Sequence, residues 1–334
     1  MLLFTNNQRD VVLNTRRAYN AAQRHLGEVA GDAIVGNAAI GNALPLPRDV
    51  WGEWDREGIA VQRKTMAVFN DLAASVSTPM PIGKLMHHYQ KISDSGQSYI
   101  SLDGVFEGKT DQQTFEYVGT PIPIISSPFS YGWRQVAAAQ SEGFNLDGSG
   151  RENAMDKNAQ KAELIALDGD TSIVVDGNPL YGLRTHPDRV TRATGVALNG
   201  ATGPQWVAEF DATLKLLEDQ EFTGEATIYV NFADWRYAER NEYTAGYPRK
   251  IAEHIRALGG VGQIVPARDV TPGQIIAINK DRRTVQVLNA MPMTTLPKFR
   301  ANVHDPYDFV NWMAAAVQVK SDANGNCGVA VSSI

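Results

Sequence analysis

The sequence predicts an α+β fold organised in two regions, with the break near residue 205. Three observations carry this prediction. Residues 87–118 are polar, alternate in places and contain Asp-Gly and Glu-Gly pairs, which is typical of a long two-stranded ribbon. Residues 149–168 place small apolar side chains on one helical stripe. Beyond residue 205, amphipathic helices alternate with short apolar strands.

The composition is that of a globular protein. The chain has 334 residues, 43% hydrophobic and 20% charged, so two domains, or one large domain with insertions, can bury a sizeable core. A formal charge of −6 and a pI near 5.6 argue against gripping nucleic acid through its phosphates. A single cysteine excludes an internal disulfide framework. We find no apolar run of roughly 18 residues and no signal-peptide pattern in MLLFTNNQRD, so we expect a soluble cytoplasmic protein.

The first part of the chain predicts two helices separated by small residues. A short helix fits residues 1–27, and a Gly/Ala-rich stretch follows at 28–47. Asp49 can cap a longer helix, which Pro79 and Pro81 would end. Apolar residues at spacings of four and seven give this helix one buried face: Val50, Trp54, Val61, Val68 and Leu72.

A ribbon such as 87–118 is marginal by itself, because it buries little surface, and the chain does not obviously provide a surface for it. The stretch YVGTPIPIISSPFSYGWRQ at 117–135 follows. Its three prolines fix an extended path and deny hydrogen bonds to a neighbouring strand at chosen points. Phe129, Tyr131 and Trp133 offer area for burial, so we interpret the stretch as structural.

The helix at 149–168 carries start and stop signals. Ser149 and Glu152 have the spacing of a capping box, and Gly169 stands at the stop. The stripe consists mostly of alanine, which lets another backbone approach closely: Met155, Ala159, Ala162 and Ala166. The following sequence VVDGNPLYGLRTHPD, at 174–188, predicts a run of turns.

The second region contains two predicted helices and several strands. QWVAEFDATLKLLEDQ is amphipathic, with Trp206, Phe210, Leu214 and Leu217 on its apolar face, and PRKIAEHIRALGG is closed by glycine. Short strands are predicted at ATIYVN, GQIVPA, QIIAINK and TVQVLNA. The tail, FVNWMAAAVQV followed by NCGVAVSSI, predicts a returning pair of strands.

Motifs for catalysis or ligand binding are incomplete. GVFEGKT at 104–110 lacks the first glycine of a phosphate-binding loop, because Asp103 occupies that position, and its context is a ribbon. GGVGQIV at 259–265 lacks the last glycine of the dinucleotide fingerprint and precedes a strand. The sequence contains neither a GxSxG elbow nor an HExxH zinc motif.

The histidines and the cysteine do not form a recognisable site either. The six histidines lack metal-binding spacing: His25, His87, His88, His186, His254 and His304. The adjacent pair His87 and His88 would point to opposite sides of a strand, so we predict a surface pair. HPD at 186–188 and HDP at 304–306 predict turns, and Cys327 a small packing residue. We therefore predict no catalytic, cofactor-binding or metal-binding residue.

The order of these features resembles the major capsid proteins of tailed double-stranded DNA phages, the Hong Kong 97 fold, and in particular its encapsulin branch. The resemblance covers nearly the whole chain and is strongest at 117–187, where encapsulin-like shells also show an apolar strand, an arginine, a spine helix ending in acid and glycine, and a Gly-Leu turn. It rests on the following segments: PRDVWGEWDREGIAVQRKTMAVFNDL, MPIGKLMHHYQKISDSG, DQQTFEYVGTPIPIISSPFSYGWRQ, NAMDKNAQKAELIALDGD and GNPLYGLRTHP.

The resemblance implies five parts: an N-terminal arm and helix at 1–86, an E-loop at 87–118, a P-domain at 119–205 with its spine helix at 149–168, an A-domain at 206–298, and a C-terminal return to the P-domain at 299–334. It implies a non-enzymatic major capsid protein of an icosahedral virion, assembled in the host cytoplasm as homopentamers and homohexamers. Such a shell encloses double-stranded DNA without specific binding, and needs no cofactor and no membrane. The implied partners are a portal, decoration proteins, and either a separate scaffolding protein or none, because the arm is too short to carry a fused scaffolding domain.

Two residues are candidates for subunit contacts. Some relatives cross-link an E-loop lysine to an asparagine of a neighbour. Lys109 lies near the expected tip, but no matching asparagine and acid can be recognised, so we expect a solvated lysine. Arg134 is either a bidentate donor across a subunit contact or an ordinary surface arginine.

Two other functions stay open. The first is an encapsulin nanocompartment, which has the same fold but encloses protein cargo; a cargo-peptide pocket on the inner wall and a shell that forms without portal or scaffold would indicate it. The second is an α/β enzyme with an unrecognised site at 206–298. Clustering of His186, His254 and His304 with carboxylates in one cleft would indicate an enzyme.

Overall fold

The described part of the chain folds around two β-sheets. A computed structural model describes residues 66–93, 100, 102, 112–142, 147–246 and 249–334. The predicted helix at 1–27, the Gly/Ala-rich stretch, the GVFEGKT motif and Lys109 lie outside these residues. Within them, the mixture of helices and sheets confirms the α+β prediction.

The helices are α1 (Ala67–Val76), α2 (Trp133–Glu142), α3 (Asp147–Leu167), α4 (Gly203–Glu218), α5 (Phe232–Arg240) and α6 (Ile251–Arg256). The strands are β1 (Ser77–Pro79), β2 (Met86–Ile92), β3 (Phe115–Pro121), β4 (Ile124–Tyr131), β5 (Gly169–Val175), β6 (Asn178–Tyr181), β7 (Val190–Ala193), β8 (Ala226–Asn231), β9 (Val261–Ala267), β10 (Ile275–Asn279), β11 (Val285–Pro297), β12 (Tyr307–Val319) and β13 (Val329–Ser333).

The first sheet has the strand order β1-β11-β12-β4 and carries α1 and α3. Its centre is the long antiparallel pair β11 and β12, with β4 at one edge. Pro128 lies in that edge strand, where a missing backbone N–H costs little. The stripe predicted for α3 is confirmed, since its four residues are all buried in the main core: Met155, Ala159, Ala162 and Ala166.

The second sheet has the strand order β7-β13-β10-β8-β9 and is covered on both faces. Ile276 and Ile278 of β10 belong to the main core, which continues into the first sheet. Their neighbours Ile275 and Ala277 point the other way and pack with the apolar face of α4. Burial on both faces explains why the strand ATIYVN is apolar almost throughout and buried at every position.

The sheets do not follow the predicted division of the chain at 205 and 298. β7 at Val190–Ala193 already belongs to the second sheet, and β11 at Val285–Pro297 belongs to the first. The tail is also not a strand pair, because β12 lies in the first sheet and β13 returns to the second. Apolar runs identify strands, but they do not identify the strands with which they pair.

The predicted helix from Asp49 is interrupted, and the predicted start of α3 is wrong. Asp49 itself lies outside the described residues. Met66 has non-helical dihedral angles (φ −100°, ψ 75°) and caps α1, so no single helix runs from Asp49 through Leu72. α3 begins at Asp147, which places Ser149 inside the first turn instead of at the cap. The short helices α2 and α5 were not predicted. α5 follows β8 directly, and the Asn231 side chain accepts a hydrogen bond from the Ala233 N–H at its start.

The stretch 174–188 is more ordered than a run of turns. Its first part is the hairpin β5–β6, joined at Asp176 and Gly177. Both residues have positive φ, 50° and 75°, which is the pattern of a type I′ turn.

The end of α3 depends on a close contact between two glycines. Gly169 has a φ of 68°, and a Cβ atom there would overlap the backbone of Leu180 and Gly182. A Cβ atom on Gly182 would in turn overlap the backbone from Leu167 to Gly169. These two positions let β6 return directly beside the end of α3.

We expect Gly169→Ala to destabilise the fold more than Gly177→Ala. Both glycines have similar φ values, 68° and 75°, so both substitutions incur the left-handed penalty of about 1 kcal/mol. A Cβ atom on Gly177 has no heavy atom within 4 Å, whereas one on Gly169 meets backbone. Chemical denaturation should show an additional loss of about 2 kcal/mol for Gly169→Ala. Equal losses would contradict the close contact.

Candidate assembly surface

The hairpin β2–β3, called the stem below, has an exposed apolar face. Ile92 is paired with Phe115, and Tyr117 lies two residues further along β3 on the same face. These three side chains are 48%, 55% and 67% exposed. Ile100 and Leu102, between the two strands in sequence, are also almost fully exposed. The stem confirms that the ribbon predicted at 87–118 begins and ends as two paired strands, while 94–99, 101 and 103–111 lie outside the described residues. The outer face of the stem has no partner among the described residues.

The inner face of the stem contacts the first sheet through a buried glutamine. The Gln318 Oε1 atom on β12 lies 3.0 Å from Nδ1 of His87 and also accepts a hydrogen bond from the Gln286 side chain. Its Nε2 atom donates to the His87 carbonyl oxygen at 3.1 Å and to Thr120 Oγ1 at 3.0 Å. Gln318 therefore binds both strands of the stem. The predicted surface pair of histidines is wrong for His87, whereas His88 is exposed on the opposite side.

A second polar contact lies further along the same face. The Lys91 Nζ atom is 3.2 Å from Asp188 Oδ2, which also accepts a hydrogen bond from Ser321 Oγ at 2.5 Å. Burial alone would raise the pKa of Asp188, but the hydrogen bonds from Ser321 and Lys91 and the Lys91 charge outweigh it, so this pKa lies below its ordinary value. The carboxylate therefore stays charged at neutral pH. It links β2 to the turn after β12.

His186 lies beside this contact and is neutral at physiological pH. Burial lowers its pKa to about 4. Its Nδ1 atom is 3.3 Å from the Asp188 backbone N–H, and its ring meets the Tyr181 ring edge-on at 5.7 Å. A cavity of about 190 Å³ separates the stem from the body here, with Tyr89 and Val118 on the stem side.

The aromatic residues of 117–135 pack as predicted near the start of α3. Phe129 stacks on Phe309 with ring centroids 5.1 Å apart, and Tyr131 meets both rings edge-on. Trp133 contacts the His304 ring at 5.3 Å. Arg134 is exposed on α2, with its guanidinium 5.4 Å from the centre of the Trp133 ring.

The start of α1 is held by a buried carboxylate that the sequence did not reveal. Glu163 of α3 is fully buried, and its two oxygen atoms accept hydrogen bonds from the backbone N–H groups of Val68 at 2.8 Å and Phe69 at 2.9 Å. Burial raises the pKa of Glu163 to about 7, although these hydrogen bonds oppose the increase. Glu163 therefore supplies the helix cap that Met66 cannot.

The residues weighed for catalysis do not form a site in the described chain. His186 lies against Tyr181, His254 lies 4.1 Å from Tyr243, and His304 lies against Trp133, so the cluster that would indicate an enzyme is not formed. Among these residues, no three potential ligands are grouped around a metal site. Burial raises the pKa of Cys327 to about 12, which disfavours a nucleophilic thiolate. No helix in the ranges described is both long and apolar enough to span a membrane.

The polar residues that hold the stem were missed because they lie in strands that look apolar. Gln318 lies in the run AAAVQV, and Gln286 lies in TVQVLNA. A lone amide in a fully buried strand needs hydrogen-bond partners. An isolated glutamine within an apolar strand could therefore have identified both positions in the sequence. It could not have identified the residues to which each glutamine binds.

Solved structures with the same fold are capsids and shells. The capsid of Myoviridae phage XM1 matches 80% of this chain and 91% of its own, with a TM-score of 0.63 and 13% identity. The virus-like particle from Pyrococcus furiosus matches 84% and 99%, with a TM-score of 0.57 and 11% identity. The capsid of the native GTA particle matches 80% and 90%, with a TM-score of 0.56 and 14% identity. The chain therefore has the Hong Kong 97 capsid fold, as the resemblance predicted.

Sequence comparison places the chain in a family. The model of the family of unknown function DUF6260 matches residues 37–332, so the chain belongs to that family. No curated protein matches the sequence.

Proposed function

We propose that the chain is the major capsid protein of a tailed double-stranded DNA phage. The observation that carries this proposal is the stem, whose inner face is bound to its own body while its outer face exposes Ile92, Phe115 and Tyr117. Exposed apolar strips of this kind mark interaction surfaces. On a chain with a capsid fold, another copy of the same chain is the partner that fits.

The parts of the fold then acquire roles. The stem is the base of the E-loop, which we assign to 87–118. α3 is the spine helix of a P-domain built on the first sheet, and the second sheet with α4, α5 and α6 forms the A-domain. The division follows the sheets, so β11 is assigned to the P-domain and both β7 and β13 to the A-domain. Residues 1–86 are assigned to the N-terminal arm and its helix.

Function in this proposal is assembly, without catalysis. Homopentamers and homohexamers close an icosahedral head in the host cytoplasm, and the virion encloses the DNA without sequence-specific contacts. Each stem contact is repeated over the whole shell, so a modest free energy per contact sums to a stable particle. A portal, a separate scaffolding protein and decoration proteins are the expected partners. Arg134 is exposed on α2, directly after β4 of the first sheet, and is assigned to a subunit contact.

A nanocompartment shell is the second candidate, and one observation favours it. The alignment with the virus-like particle from Pyrococcus furiosus covers 99% of that protein's chain and 84% of this one. Almost every part of that shell protein therefore has a counterpart in this chain. Such a shell would close around protein cargo, without a portal.

Expression of the chain alone tests both candidates. Size-exclusion chromatography with light scattering gives the mass, and negative-stain imaging gives the shape. Closed shells or capsomer rings are expected. Shells of one small size would favour the nanocompartment, whereas mixed or aberrant shells would favour a phage coat without its partners. A compact monomer or dimer at high protein concentration and high salt would contradict the proposal.

A further inference from the structure

The stem is joined to the body through polar side chains at every second residue of β2. His87, Tyr89 and Lys91 share the inner face because side chains of a strand alternate. His87 contacts Gln318, the Tyr89 hydroxyl accepts the Ser321 N–H at 3.4 Å, and Lys91 binds Asp188. Each of these polar contacts adds only about 1 kcal/mol to stability.

Packing between the stem and the body is interrupted at this point. A cavity of about 190 Å³, partly open to solvent, lies between them. Tyr89 and Val118 line it from the stem, and Tyr181, His186 and Val317 from the body. The stem therefore has room to change its angle. Polar contacts lie around the cavity, and they include a hydrogen bond of 3.2 Å from the Gly119 N–H of β3 to Asn178 Oδ1 of β6.

Gln318 contacts both strands of the stem, at His87 of β2 and Thr120 of β3. It is fully buried, and both of its amide atoms are engaged with residues of β2, β3 or β11. The acceptor role of Oε1 requires the tautomer of His87 that carries its proton on Nδ1. Loss of the Gln318 amide removes hydrogen bonds of His87, Thr120 and Gln286 at once, and Gln286 keeps only its contacts with Thr78 and His87.

A small tilt of the stem where it meets the first sheet produces a large displacement at the other end of its strands. A seven-residue strand such as β2 is about 23 Å long, so a tilt of about 10° moves its end by about 4 Å. That displacement is the size of a side chain. It is enough to change which residues of a neighbouring copy meet Phe115 and Tyr117.

We propose that Gln318, with Asp188 as a second anchor, is a positioning residue that sets the angle of the stem and thereby the geometry with which one subunit meets the next. The shell-geometry half of this inference rests on the proposed function. The anchoring half concerns the single chain and is independent of it.

The anchoring half is tested by a distance measurement within one chain. Spin labels at Gln90→Cys on the exposed face of the stem and Lys215→Cys on α4 report the angle by electron-electron resonance, in labelled chain diluted with unlabelled chain. Cys327 is buried and its thiol pKa is raised to about 12, so it resists labelling. Gln318→Leu is expected to broaden the distance distribution and shift its centre by several ångströms. A distribution identical to that of the parent would overturn the inference.

Asn311→Leu is the matched control. Asn311 is fully buried in the same strand and binds Asn158 of α3, away from the stem. It should lose similar stability while the labelled distance stays that of the parent. If Gln318→Leu does not fold, the same distance measurement on Asp188→Asn tests the anchoring role. This variant keeps the side-chain shape and removes the charge that binds Lys91. A smaller shift is expected there, and an unchanged distance would again overturn the inference.

The shell-geometry half is read from particle diameters by electron microscopy. Gln318→Leu is expected to give shells of altered or mixed diameter, and Asn311→Leu shells of the parental diameter. Parental shells from Gln318→Leu despite a shifted stem would overturn this half alone. If the parental chain forms capsomer rings without shells, the ring diameters are compared in the same way. If it stays a compact monomer or dimer, the proposed function fails, while the distance measurement still tests the anchoring role of Gln318.

Discussion

Replacing Glu163 with alanine is expected to destabilise the protein by about 4 kcal/mol. The substitution leaves two buried backbone N–H groups without a hydrogen-bond acceptor and creates a cavity in the core. The carboxylate binds Val68 and Phe69 at the first turn of α1, 95 and 94 residues away in sequence. The side chain of Met66, at the N-cap position, makes no capping hydrogen bond. Chemical denaturation of the Glu163→Ala variant at pH 7 measures the loss.

The pH dependence of stability separates the carboxylate from a purely steric role. The pKa of Glu163 is raised from 4.5 to about 7 in the folded protein, so the folded state binds more protons between these values. The resulting stabilisation is fully present below pH 4.5 and is lost as the pH rises through 7. Between pH 5 and pH 8 the loss amounts to roughly 2 to 3 kcal/mol.

Glu163→Gln has nearly the same shape and does not titrate, which makes it the control. Asp269 and Tyr229, which interact electrostatically with Glu163, are unchanged in the variant. The parental protein should therefore exceed Glu163→Gln in stability by more at pH 5 than at pH 8. A difference that is the same at both pH values would show that Glu163 does not titrate in this range.

The second large effect is on assembly. The double substitution Phe115→Ser and Tyr117→Ser removes two aromatic side chains that are already 55% and 67% exposed, so the folded subunit should lose less than about 0.5 kcal/mol each. In a subunit contact, each ring would contribute about 2 kcal/mol. Because every subunit repeats the contact, we expect closed particles to disappear from light-scattering and imaging assays.

Phe232→Ser serves as the control for this prediction. Phe232 is 55% exposed at the start of α5, in the second sheet region, and is as apolar as Phe115. It should leave assembly unchanged. Normal particles from the double variant, or equal loss of particles from Phe232→Ser, would show that the stem is not the specific contact.

Local features could be predicted where the sequence carries a physical period. The spacing of Met155, Ala159, Ala162 and Ala166 is sufficient to predict α3, since these residues meet the core only in a helix. The stem was predicted from alternation and turn residues, and the inability of an isolated ribbon to bury its surface indicated that a partner was needed. The resemblance to capsid proteins then supplied the fold as a whole.

Features that depend on distant partners could not be predicted. Gln318 and His87 are 231 residues apart, and the residues around either one in the sequence do not indicate that the two are in contact. The cap on α1 comes from Glu163, whose neighbours in sequence describe only the face of α3. For the same reason the sheet to which β11 or β13 belongs could not be assigned, because apolar strands are compatible with either sheet.

Cryo-electron microscopy of the purified particle tests the central claim most directly, since that claim is that a neighbouring copy covers the outer face of the stem. The account predicts a closed shell in which Ile92, Phe115 and Tyr117 are buried against another subunit. A closed shell whose stems project into solvent would contradict that contact, and a preparation that contains only compact monomers or dimers would contradict the capsid function itself.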